Sequence, residues 1–174
     1  MPPNLLHRLF ARGPDRRDGV RALYIRLIAI ARQPHWFIDG GVADDINGRF
    51  AVLSSVVALT LSRLEGAPEE SVALTELFVD DMDASMRELG IGDMVVGKRV
   101  GKLMGALGGR LGAYAAARRD NDAGAFREAV RRNVYGSDEV GDPALDHTAV
   151  ALTRLAEGLA RSGTDAVIAG RVPG

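Results

Sequence analysis

At 174 residues the chain is long enough for one domain with its own core, and a net charge of −1 excludes the basic excess that wrapping nucleic acid requires. There is no cysteine, which excludes disulfides, a thiol nucleophile and thiolate metal sites. The three histidines, His7, His35 and His147, are scattered, and no pair has metal-ligand spacing.

The first twelve residues, MPPNLLHRLFAR, lack the apolar segment and small-residue cleavage site of a secretion signal. Leu5, Leu6, Leu9 and Phe10 share one helical face beside Arg8 and Arg12. Residues 1–15 therefore read as a tail docked on the domain or a short helix lying in a membrane interface. No run reaches the roughly eighteen apolar residues that a membrane span needs; the longest candidate, Phe50 to Leu61, is broken by Ser54, Ser55 and Thr60. A single helical domain is expected over 16–162, with 163–174 as a C-terminal tail.

Val20, Leu23, Tyr24, Leu27, Ile28 and Ala31 recur at helical spacing and predict a helix from Arg16 to Arg32 that Pro34 ends. A loop rich in Gly and Asp follows, carrying Trp36 and Phe37, two aromatics that either fold back on the core or meet a partner. Asp45 or Asn47 can cap a second helix to Glu65, apolar on a wide face and so central. Pro68 opens a third, with Glu69 and Glu70 in its first turn and Gly90 placed for a left-handed stop against Ile91. A fourth runs from about Gly97 to Arg119, a fifth from Ala123 to Asn133 and a sixth from Ala144 to Arg161. No alternating strand pattern appears, so the fold class is all-α, a compact bundle of about six helices with short loops.

Charge is segregated: Glu65 to Asp93 holds nine acids and one base, while Gly97 to Arg132 holds nine bases and three acids. These segments either pack side by side and neutralise each other or present two faces that steer partners. Gly92 to Lys98 has the spacing G-x-x-x-x-G-K of a phosphate loop, but Arg99 replaces the required hydroxyl and the preceding segment is helical, which argues against a nucleotide site. Asp81, Asp83, Glu88 and Asp93 are the best carboxylate cluster for a metal-dependent enzyme. Asp81 and Asp83, however, diverge by about 200° on a helix, so salt bridges with Arg87 or Lys98 account for them more simply. Gly101, Gly105, Gly108 and Gly112 draw a stripe down the fourth helix, for close packing inside the domain or for a partner's helix.

The segments LYIRLIAIARQPHWF (Leu23 to Phe37), GVADDINGRF (Gly41 to Phe50), DMDASMRELGIGD (Asp81 to Asp93), Lys98-Arg99, Gly109-Arg110 and RNVY (Arg132 to Tyr135) fall in an order and spacing that resembles the ubiquinol–cytochrome c chaperone family, bacterial relatives of the mitochondrial assembly factor for cytochrome b. The chain departs from it at Ala43 and Gly97, where proline is usual, and at Leu107-Gly108, where aromatics are usual. The resemblance implies a non-enzymatic helical chaperone without cofactor or metal. Its client would be cytochrome b or another subunit of the cytochrome bc complex, and a small helical partner protein is among the partners the resemblance implies. It would act in the cytoplasm, peripherally at the inner membrane. The expected partner-binding residues are Trp36, Phe37, Arg49, Asp81, Asp83, Arg87, Asp93, Lys98 and Arg99 around a groove, with Gly105, Gly108 and Gly112 on the stripe. A helical adaptor or lipid-binding module is the alternative.

Overall fold

The computed structural model describes residues 16–88 and 93–173. Helix α1 spans Arg16–Ala31, α2 His35–Ile38, α3 Ile46–Arg63, α4 Pro68–Glu88 and α5 Asp93–Arg119. After them come α6 (Ala123–Val130), a π-helical turn (Arg131–Tyr135), α7 (Asp142–Arg161) and α8 (Thr164–Ile168). The described residues contain no strand, and the fold is an all-α bundle. Among them no helix is long and apolar enough to cross a membrane.

The bundle is organised around α3. Every residue from Ala51 to Thr60 is buried, so this helix is apolar on all sides and packs against α1, α5, α7 and the π turn. Its hydroxyls are satisfied inside: Ser54 and Ser55 donate to the Ala51 carbonyl and Thr60 to that of Val56. Asp45, not Asn47, caps α3, its Oδ1 accepting the Gly48 N–H at 2.8 Å. Gly48 is required here, because any Cβ would collide with the Ala43 carbonyl oxygen.

Several boundaries differ from expectation. Residues 35–38, read as loop, form the α2 turn because the Gly40 and Asp39 N–H groups close back on the His35 carbonyl. Helix α5 begins at Asp93, four residues early, so the phosphate-loop spacing from Asp93 onward is helix. The fifth helix opens into a π turn at Arg131, which directs Tyr135 inward to meet Thr148 Oγ1 at 2.7 Å and the Gly40 carbonyl at 2.6 Å. The segment expected as a C-terminal tail is docked: Val167 and Val172 are buried, and Arg26 donates to the Val172 carbonyl at 3.0 Å. The expected stop at Gly90 and Ile91 and the N-terminal segment 1–15 lie outside the described residues.

The two charged segments do not neutralise each other among the described residues. On α4, Glu76 and Asp80 pair with Arg17 of α1, and Asp83 pairs with Arg87 one turn on. Beyond α5, Arg127 bridges Asp142 and Asp146 of α7, and Arg131 pairs with Glu128. Helix α4 has α1 as well as α5 alongside it, and the arginine of α1 reaches the acids.

Candidate functional site

Four segments from two stretches of the chain, 28–53 and 81–103, converge on one groove of about 860 Å³. The end of α1, the loop and first turns of α3, the last turns of α4 and the first turns of α5 each supply a wall. The floor is apolar, with Ile28, Phe50, Leu53, Met82, Met86 and Leu103. Phe50 is held by two contacts: its ring lies 6.0 Å from that of Phe78, and the Arg110 guanidinium sits over it at 5.5 Å. The two methionines are unbranched and flexible, which suits a floor that must follow the shape of an occupant.

The rim is charged, and its two signs are held differently. Asp44 pairs with Arg49 at 2.8 Å, and Asp45 is used as the α3 cap. Asp81 Oδ2 accepts the Tyr24 hydroxyl at 2.7 Å. Burial, then the Asp81 carboxylate, push the Tyr24 pKa far up, so this phenol stays protonated and fixes Asp81 in place. Arg32, Arg99 and Lys102 also line the groove, and none of them has an ion pair or side-chain hydrogen bond among the described residues.

The residues expected to contact a partner divide by position. Arg49, Asp81 and Arg99 line the groove. Trp36 is corrected: it is 2% exposed, and its indole N–H donates to the Ile30 carbonyl at 2.7 Å, so it anchors the α2 turn to the core. Phe37 is half-buried against the core. Asp83 and Arg87 pair with each other outside the groove lining, while Lys98 is exposed on α5. Asp93 opens α5, and its side chain lies outside the described residues. Gly105, Gly108 and Gly112 are exposed, and a Cβ built on any of them meets nothing within 4 Å. Close packing inside the domain is therefore overturned as the reason for the stripe, which opens outward.

Two features escaped sequence reasoning. Arg110 is 6% exposed with no carboxylate partner among the described residues. Its guanidinium donates to the carbonyls of Ala106 and Asn133, Nε has no partner among the described residues, and burial pushes its pKa down. It stays a cation at neutral pH. Its place in Gly109-Arg110 was visible, but periodicity does not distinguish a buried arginine from an exposed one. His35 and His147, 112 positions apart, meet at 3.0 Å between Nδ1 and Nε2. No group of three His, Cys, Asp or Glu among the described residues is placed to hold a metal ion.

Residues 39–172 match the family described as ubiquinol-cytochrome C chaperone, a stretch that includes three of the four walls of the groove and leaves out the end of α1. The chain belongs to this family. In structure it is similar to a Cbp3 homolog from Brucella abortus, solved by crystallography, with a TM-score of 0.77 and 31% sequence identity over 97% of this chain and 95% of that one. No curated protein matches the chain. The matched region begins after α1, yet the structural similarity covers 97% of this chain, so the helix that walls the groove belongs to the shared fold.

Proposed function

We propose that this chain is a non-enzymatic assembly chaperone of ubiquinol–cytochrome c reductase that holds newly made cytochrome b at the cytoplasmic face of the membrane until its cofactors and partner subunits arrive. The observation that carries this reading is the groove: an apolar, methionine-containing floor open to solvent between charged walls, in a chain of the chaperone family. Burial of apolar surface supplies affinity without chemistry, and a floor of adaptable side chains suits a client that is not yet folded. Arg49, Asp81 and Arg99 would touch the client, and the open face of Gly105, Gly108 and Gly112 would offer a second contact on which a helix can approach closely.

The test is deletion of the gene followed by measurement of cytochrome b haem assembled in the membrane. Haem is expected to fall, and to return on complementation with the intact gene but not with a variant carrying Met86→Asp in the groove floor. Unchanged haem in the deletion strain would count decisively against a role in assembly.

A further inference from the structure

The sign of the groove's free charge says what kind of segment it accepts. All three carboxylates of its lining are already engaged: Asp44 by Arg49, Asp45 by the Gly48 N–H and Asp81 by Tyr24. The three cations Arg32, Arg99 and Lys102 make no ion pair or side-chain hydrogen bond among the described residues, Arg32 acting only through its charge on the nearby Tyr24, and they stand one at the end of α1 and two on α5. Beneath the floor, Phe50 separates the groove from Arg110, a buried cation with no carboxylate partner among the described residues. A charge in a low-dielectric interior is screened less than one in water, so its field reaches the groove through the phenyl ring. An occupant that brought cations would meet four charges of its own sign against two carboxylates, Asp45 and Asp81, that keep their charge but are each already held by a neutral donor. One that brought carboxylates would find partners on both walls.

We infer that the groove binds an amphipathic polypeptide segment of its client whose apolar face is flanked by carboxylates, the apolar face seating on Phe50, Met82 and Met86 and the acids meeting Arg32, Arg99 and Lys102. This rests on the chaperone reading and specifies the chemistry of the segment that is held. The apolar floor supplies the burial, while the cations set orientation and reject segments of the opposite charge.

Two fluorescein-labelled peptides of about 15 residues, with the same leucine and alanine face and either glutamate or lysine at the flanking positions, test it with the full chain by fluorescence anisotropy. The glutamate peptide is expected to bind at least about tenfold more tightly, a preference that shrinks as salt rises from about 50 to about 300 mM. The triple variant R32E/R99E/K102E, all at exposed positions and with its fold checked by circular dichroism, is expected to reverse the preference. Equal binding of the two peptides, tighter binding of the lysine peptide, or an unchanged preference in the variant would overturn the inference. So would failure of both peptides to bind while vesicles containing phosphatidylglycerol do, which would assign the cations to a lipid surface. If the peptide preference fails but deletion of the gene still lowers membrane haem, the assembly role stands and only the chemistry of the segment falls.

Discussion

His35 and His147 show how much one contact can specify. With Gln33 Oε1 accepting from His35 Nε2 at 3.0 Å, His35 carries its proton there, and its Nδ1 accepts from His147 Nε2. Burial, then the neighbouring His147, lower the His35 pKa below the ordinary 6.5, while Asp39 pulls the other way. The folded form therefore prefers the neutral ring. Its contribution is complete above the ordinary value and is lost as pH falls, because the unfolded chain takes up the proton first. The thermal midpoint is expected to drop between about pH 7.5 and about pH 5.5, and His35→Gln, which does not titrate, should shrink that drop. Equal acid sensitivity of the wild-type and variant chains in a pH series of melting curves would remove His35 as a cause.

At the scale of elements, the glycine stripe of α5 and the α3–α5 contact have opposite consequences. A methyl group at Gly105 or Gly108 enters open space, and alanine is favoured over glycine in a helix by up to about 1 kcal/mol. Gly105→Ala with Gly108→Ala should thus raise the urea midpoint. If the same double variant fails to restore membrane haem in the deletion strain, a more stable protein has lost activity, and the open face is a working surface; full restoration would show that the face is idle. Across α3 and α5, the Tyr114 hydroxyl lies 3.0 Å from Ser55 Oγ, both buried. Tyr114→Phe leaves Ser55 bonded to the Ala51 carbonyl and should cost about 1 kcal/mol. Ser55→Ala strands the tyrosine hydroxyl and should cost about 1–3 kcal/mol. Denaturant unfolding of the two variants checks the order, and a larger loss for Tyr114→Phe would contradict it.

For the whole molecule, what could be read from the sequence was what repeats locally. Helical spacing located α1, α3, α4, α5, α6 and α7, and proline and aspartate marked several of their starts, because these signals lie within a few residues of one another. The α2 turn is only four residues long, too short to show a period, so Trp36 read as a loop aromatic although it is core. The groove draws on residues from Ile28 to Leu103, and no local pattern announces that they meet; of its lining, only Arg49, Asp81 and Arg99 were expected as contacts. Arg17 of α1 pairs with Glu76 and Asp80, a partner that neither reading of the charge segregation included, because three-dimensional adjacency, not the balance of neighbouring segments, decides ion pairs.

The C-terminal segment is where that gap between local pattern and packing is most open to experiment. Residues after 162 show little periodicity, yet Val167 is 0% exposed and Val172 4%. Arg63 of α3 reaches Thr164 Oγ1 at 3.0 Å, Arg26 of α1 holds the Val172 carbonyl at 3.0 Å, and Pro173 lies directly over Gly158 of α7. The segment thus ties together three helices that are distant in sequence. Removing residues 163–174 exposes the surfaces the two valines cover and leaves these polar groups to water, a loss of about 3–5 kcal/mol from apolar burial. Val167→Ala alone should cost about 1–3 kcal/mol, since it removes two methyl groups from a packed site without touching the hydrogen bonds. In urea titrations the midpoint is therefore expected to fall modestly for Val167→Ala and much further for the truncation. A truncated chain that unfolds at the wild-type midpoint would return the segment to the status of a tail and move the edge of the domain back to the end of α7.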